Sequence, residues 1–181
     1  IQHQFVEALA KLHGISQDVL TNYATGTEAV RAEVAVYRTR LARAEQIPNP
    51  ALRHALDVLE QGAPKAQRIS LLHGDYRLPN LMFNEGKLVA ILDWELARIG
   101  DPLGDIAFTQ TTGAGVCSIE GELAEYYTEL TGIKIDEAEM EYQRFLEGTK
   151  GGIIGLGGAT AVSKGGTDLR LLSVATFAQG G

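Results

Sequence analysis

Cys117 is the single cysteine of the sequence, so no internal disulfide can form and a disulfide-stapled scaffold is excluded. Long hydrophobic runs are missing too: nothing reaches the roughly 18 apolar residues that a membrane-spanning helix needs. Positive charge is scarce, with a formal net charge of −7. A general attraction to nucleic acid or to an anionic membrane would have to overcome the protein's own field, so neither partner is expected. No internal repeat, linker or low-complexity tract divides the chain. What remains is a soluble, cytoplasmic protein of 181 residues, 45% of them hydrophobic, which is enough for a single domain with a real core over residues 1–181.

The apolar residues recur at helical spacing over most of the length. Phe5, Leu9 and Leu12 share a stripe in "IQHQFVEALAKLHGI", and Val30, Val34, Tyr37 and Leu41 share another between Ala29 and Gln46. "IPNPALRHALDVLEQGAP" reads as a helix opened by proline and stopped at Gly62 to Pro64. From Ile69 the pattern changes to short apolar runs, "ISLLH", "NLMF" and "KLVAIL". The turn signal "NEG" predicts a hairpin of Leu81 to Phe83 with Lys87 to Leu92. Helices are expected to resume after Asp93, with Asp101 capping the next one ahead of Pro102, another over Ile119 to Thr131, and a last one after Asp136.

The final predicted helix runs into "GGIIGLGGATAVSKGG", which has the glycines of a phosphate loop but not its Gly-Lys-Ser/Thr ending, and no strand precedes it. Small residues that let helices pack closely explain it better, since glycine inside a helix costs only about 1 kcal/mol.

Polar residues concentrate where the pattern reads as buried strand. "HGDYRLPN" has the order His-x-Asp-x-x-x-x-Asn, and Asp93 follows Asp75 by eighteen positions at the end of "KLVAIL". A loop followed by a hairpin would return Asp75, Asn80 and Asp93 to one edge of a small sheet. Magnesium takes hard oxygen ligands, often only one or two carboxylates from the protein, and leaves other positions to water and phosphates. Asn80 and Asp93 fit that demand, while Asp75 could orient an attacking hydroxyl and accept its proton.

The stretch from Leu71 to Ala107, "LLHGDYRLPNLMFNEGKLVAILDWELARIGDPLGDIA", resembles the aminoglycoside phosphotransferase-like branch of the protein-kinase-like fold. Its segment "ILDWELARIGDPLGDIA" is most similar to the kinase-like domains associated with acyl-CoA dehydrogenases. The resemblance implies an α+β, mostly α-helical fold: the C-terminal lobe of the protein-kinase-like fold, with a small β-hairpin carrying the catalytic loop. It makes Asp75 the catalytic base, Asn80 and Asp93 the magnesium ligands, and ATP the co-substrate. It also implies that Asp105 hydrogen-bonds the backbone of the catalytic loop and thereby fixes Asp75. "HGD" stands where protein kinases have His-Arg-Asp, and "DWE" where they have Asp-Phe-Gly. Only twelve positions separate Asp93 from Asp105, too few for a segment on which a peptide would lie, so the expected acceptor is the hydroxyl of a small molecule. An aminoglycoside-like compound and a hydroxyacyl or other hydroxylated metabolite both remain open; Glu137, Glu139, Glu141 and Glu147 could line an acidic cleft for the former.

Individually, these residues have plainer readings. Loop acids cap turns, His73 reads as a buried histidine bonded to backbone, and Trp94 as core packing. Arg77 and Glu95 could contact phosphate or substrate, or simply pair at the surface. Pro79 holds Leu78 extended and stiffens the loop. Lys11 and Lys65, on a helix and in a loop, do not supply the strand lysine that a kinase uses on ATP. The expectation is therefore that the N-terminal, nucleotide-covering lobe is absent and that the chain alone is close to inactive. A non-catalytic binding or regulatory module is the alternative; intact Asp75, Asn80 and Asp93 argue for the enzyme.

Overall fold

Apolar residues three and four apart build the helices of a computed structural model that describes residues 1–15, 20, 22–112 and 117–166. Helix α1 (Gln2–His13) buries Phe5, Val6, Leu9 and Leu12. Helices α2 (Thr27–Ala44) and α3 (Pro50–Gln61) follow. The start of α3 is set locally: the Asn49 side chain accepts the Leu52 N–H at 3.1 Å, and Pro50 sits in the first turn, where its missing N–H costs nothing.

Two small antiparallel sheets come next. Strand β1 (Ser70–Leu72) pairs with β4 (Arg98–Gly100), and β2 (Leu81–Asn84) pairs with β3 (Lys87–Ile91). The β2–β3 hairpin turns on Glu85 and Gly86, with φ of 48° and 74°. Two left-handed positions in a two-residue loop match the right-handed twist of the strands. Strand β4 corrects the expectation that helices resume directly after Asp93. At three residues it is too short for a period of two to register, and only its pairing with β1 defines it.

Helix α4 (Leu103–Thr112) begins where Asp101 Oδ1 accepts the Leu103 N–H at 3.0 Å. Helix α5 (Glu122–Thr131) ends at Gly132, whose φ of 71° provides a left-handed cap. Helix α6 (Glu137–Ser163) continues straight through the glycine-rich tract. A Cβ on Gly152 would come within 3.2 Å of Leu52 Cδ2, so the small residue allows a close approach there.

The described residues form two compact units. The first, Ile1–Val30 with Pro64–Arg144, is built on a cluster that includes Phe5, Leu9, Tyr76, Ile106, Tyr127 and Met140. Each fully buried large side chain of this kind contributes about 1.5–3 kcal/mol. The second, Arg31–Ala63 with the described residues from Phe145 onward, buries Val34, Leu41, Leu56, Leu59 and Leu146. Within it Lys150 Nζ lies 2.8 Å from Glu33 Oε1 and 2.5 Å from Glu147 Oε1, and over the Tyr37 ring. Among the described residues, no helix is long and apolar enough to cross a membrane.

Candidate active site

Strand β1 delivers the chain into His73, Gly74 and Asp75. Gly74 has a φ of +83°, and a Cβ there would lie 2.3 Å from the Leu96 carbonyl oxygen and 2.7 Å from Arg98 Nη1. Both conformation and space demand glycine. The turn is anchored by Asp105, fully buried in the first turn of α4. Asp105 Oδ2 accepts the His73 N–H at 2.7 Å and Oδ1 accepts the Gly74 N–H at 2.8 Å. Burial by itself would push this carboxyl upward; the hydrogen bond and charge of His13, the Arg98 charge and the His73 N–H outweigh it and hold Asp105 down at about 2.

Asp105 also meets His13, the last residue of α1, whose Nε2 lies 3.2 Å from Oδ2. His13 Nδ1 lies 2.6 Å from the hydroxyl of Tyr127 on α5. Burial first, then the Asp105 charge, push the Tyr127 phenol well above its ordinary range, so it keeps its proton. His13, Asp105 and Tyr127 are all at 0% exposure, and four segments of the first unit meet in this one polar chain.

The acid of the loop is held by its own neighbours. Asn80 Nδ2 donates to Asp75 Oδ2 at 2.7 Å and to the Asp75 carbonyl at 2.8 Å, and Arg77 Nε lies 2.9 Å from Asp75 Oδ1. The third candidate arrives through the backbone of Leu92. The Leu92 N–H donates to the Asn80 carbonyl at 2.8 Å, and the Leu92 carbonyl accepts from His73 Nε2 at 2.9 Å. His73 Nδ1 accepts the Asp75 N–H at 3.2 Å, which leaves its proton on Nε2 for Leu92. Asp93, the next residue, is therefore tied to the loop that carries Asp75 and Asn80. Its φ of 65° is left-handed, a conformation aspartate tolerates better than most residues, and it turns the chain out of β3. The side chain is exposed and makes no hydrogen bond or ion pair with a described residue.

The oxygen donors fit a sparsely held magnesium ion. With the Asn80 nitrogen spent on Asp75, its oxygen is the atom it can offer a cation, and Asp93 offers a carboxylate. Among the described residues no three His, Cys, Asp or Glu side chains cluster as a metal site, so an all-protein cage is not what this loop presents.

Other candidates are distributed differently. Arg77 is engaged with Asp75, and Glu95 is exposed without a partner among the described residues. Trp94 departs from the core reading: it is 41% exposed, its Nε1 donates to the Ile91 carbonyl at 2.9 Å, and its ring lies 4.8 Å from that of His73. The four glutamates read as a possible cleft lining have separate fates: Glu137 pairs with Arg144, Glu139 accepts from Gln67, and Glu147 is buried against Lys150, while Glu141 is exposed. A helix points successive residues to different sides, so acidic letters near one another need not share a surface. Sequence reasoning missed His13, Tyr127 and the clamp on Leu92. The histidine and tyrosine carry no local signal, since the contacts that involve them span 92 and 114 positions.

The sequence profile of the phosphotransferase enzyme family (APH) matches residues 3–141. Acyl-CoA dehydrogenase family member 11 of Homo sapiens is 34% identical over 107 residues, which is 56% of this chain and 14% of that protein. Family member 10 of Mus musculus is 31% identical over 107 residues, 57% of this chain and 10% of that protein. The chain thus spans a small part of the curated relatives it matches. Among solved structures, a Ralstonia eutropha protein assigned as an aminoglycoside phosphotransferase superposes with a TM-score of 0.75 at 22% identity, over 97% of this chain and 60% of that one. Plasmodium vivax ethanolamine kinase does so with 0.57 at 14%, over 98% and 57%. These likenesses carry the fold, that of protein-kinase-like phosphotransferases, and with the profile match over most of its length the chain belongs to the phosphotransferase enzyme family.

Proposed function

We propose that this chain is the catalytic lobe of an ATP- and magnesium-dependent phosphotransferase that moves the γ-phosphoryl group to a hydroxyl of a small molecule. The observation that carries this reading is the Leu92 clamp, which ties Asp93 to the loop holding Asp75 and Asn80. Asp75 is the base: it orients the acceptor hydroxyl and takes its proton as the hydroxyl oxygen bonds to the γ-phosphorus and the bond from that phosphorus to the bridging β–γ oxygen breaks. Its two oxygens each hold one partner, Arg77 and Asn80, and a carboxylate has lone pairs left for a third. Asn80 and Asp93 would hold the metal, which when bound would neutralise phosphate charge. His73 and Asp105 act on the backbone, keeping the loop in register. Arg77 and Glu95 are the candidates for contact with phosphate or acceptor.

The short span from Asp93 to Asp105 supports a small acceptor. Solved structures of the same fold include proteins named for aminoglycosides, macrolides and ethanolamine, and the curated relatives are named for acyl-CoA dehydrogenases. Here we favour a hydroxyacyl thioester or a related hydroxylated metabolite over an aminoglycoside, because the curated relatives are the more similar in sequence. In this reading the lobe that covers the nucleotide lies outside the chain, and the isolated chain binds ATP weakly and turns over little.

The test is ATP turnover by the full-length protein against a panel of hydroxylated acceptors, with Asp75→Asn and Asp93→Asn as controls. Asp75→Asn should lose about 10²–10⁴-fold in kcat, the range for removing a positioned acid or base. Asp93→Asn keeps a residue that tolerates the left-handed backbone and should raise the magnesium concentration needed for half-maximal rate. Equal, measurable rates for wild type and Asp75→Asn would remove Asp75 as the base, whereas no turnover by the wild type on any acceptor would favour a non-catalytic module.

A further inference from the structure

We propose that His13 and Tyr127 are positioning residues for phosphoryl transfer, acting through Asp105 on the backbone that presents Asp75. This inference rests on the phosphotransferase reading above. The polar chain is continuous: Tyr127 hydroxyl to His13 Nδ1 at 2.6 Å, His13 Nε2 to Asp105 Oδ2 at 3.2 Å, and the two Asp105 oxygens to the N–H groups of His73 and Gly74 at 2.7 and 2.8 Å. Asp75 is the next residue. Asp105 cannot hold two successive N–H groups on different oxygens unless its carboxylate plane is set, and His13 supplies the third direction that sets it.

Helix α1 is itself fixed against the elements that frame the loop. The Ser70 hydroxyl donates to the His13 carbonyl at 3.0 Å, and the Tyr76 hydroxyl donates to the Phe5 carbonyl at 2.8 Å. Gln4 donates to the Gly86 carbonyl at 2.9 Å and accepts the Leu88 N–H at 2.8 Å. Residues on both sides of the catalytic loop, and the turn of the β2–β3 hairpin, are thus referenced to one helix. His13 sits where that helix meets Asp105. An apolar residue there could fill the space but could not orient the carboxylate, and small displacements of reacting groups are costly in rate.

The experiment compares His13→Leu, His13→Gln and Tyr127→Phe with wild type by two readouts. The first is kcat and KM of the full-length protein; the second is residue-resolved amide hydrogen exchange in the same protein. His13→Leu should lower kcat about tenfold or more while KM for ATP stays within about twofold, the pattern of a misplaced reacting group rather than lost substrate binding. It should also speed exchange of the His73 and Gly74 amides about tenfold or more, with Leu81 and Leu88 unchanged. His13→Gln places an Nε2 donor toward Asp105 and should restore kcat to within about threefold of wild type. Tyr127→Phe should fall between, and it carries the same readouts if His13→Leu does not fold. Unchanged kcat and unchanged exchange at 73 and 74 would overturn the proposal. So would exchange that rises evenly across the first unit, which would leave only general stability. A wild type without turnover sinks the phosphotransferase reading and the catalytic role with it, whereas wild-type turnover with wild-type-like variants sinks the positioning role alone.

Discussion

His73 Nε2 donates to the Leu92 carbonyl at 2.9 Å across nineteen positions of sequence, one residue before Asp93. The same ring accepts the Asp75 N–H at 3.2 Å, so one imidazole spans the two acids that the sequence singles out. His73→Phe keeps a ring of similar shape and deletes both bonds. It should cost about 1–3 kcal/mol, the penalty for leaving buried polar groups unpaired, read as a lower urea midpoint at unchanged m-value.

Gly74 and Gly86 both have positive φ, but they differ in what surrounds them. A Cβ on Gly74 would meet the Leu96 carbonyl at 2.3 Å, whereas a Cβ on Gly86 would meet nothing within 4 Å. Gly86→Ala should cost about 1–2 kcal/mol, the left-handed penalty alone. Gly74→Ala should cost more, because backbone as well as side chain must move. Thermal denaturation of the two variants orders them; equal shifts in Tm would show that the loop is not held against Leu96.

Acid should unfold the protein partly through Asp105. Its folded-state value of about 2 lies below the ordinary carboxyl value of 3.8, so the charged form stabilises the fold above about pH 4. That contribution, on the order of 2–3 kcal/mol, is lost as pH falls from about 4 to 2. The unfolding free energy of wild type should drop through this window. Asp105→Asn should be less stable at neutral pH and show a flatter acid limb. A variant whose acid limb is as steep as wild type would assign the transition to other carboxyls.

The second unit has its own buried ionic group. Lys150, Glu33 and Glu147 side chains are 4%, 8% and 6% exposed, with one ammonium between two carboxylates. Lys150→Met keeps most of the volume and removes the charge that both acids face. It should destabilise the protein by about 3–5 kcal/mol, as breaking buried pairs does. Lys150→Met combined with Glu33→Gln and Glu147→Gln should recover much of that loss in chemical denaturation.

Much of the local structure was legible before any coordinates. Leu9 and Leu12, or Leu56 and Leu59, announce their helices because burial on one face imposes a period near 3.6 on the letters. The proline that opens α3, Asp101 ahead of Leu103, and the Glu85-Gly86 turn are equally local, since each depends on chemistry within a few residues. Strand β4 was not legible. Three residues carry no period, and Arg98 and Ile99 acquire their meaning from Leu72 and Leu71 across the ladder.

The candidate site divides in the same way. Asp75, Asn80 and Asp93 could be chosen from residue type and spacing, because the chemistry of a hydroxyl and a divalent cation restricts which side chains serve. Trp94 could not be placed: its indole bonds the Ile91 carbonyl from an exposed position instead of filling the core that its size suggests.

The letters alone determined which groups are available: the oxygen donors, the helical stripes, the hairpin, and the glycine that permits a sharp turn at position 74. Tertiary structure decided how those groups are held. Helix α1 contributes a histidine to the acid beneath the loop that carries Asp75, and Leu92 is clamped between Asn80 and His73. The physical reason is range. Periodicity and capping arise among neighbours in the chain, whereas a buried carboxylate collects its donors from wherever packing brings them, and that leaves no repeat in the sequence to read.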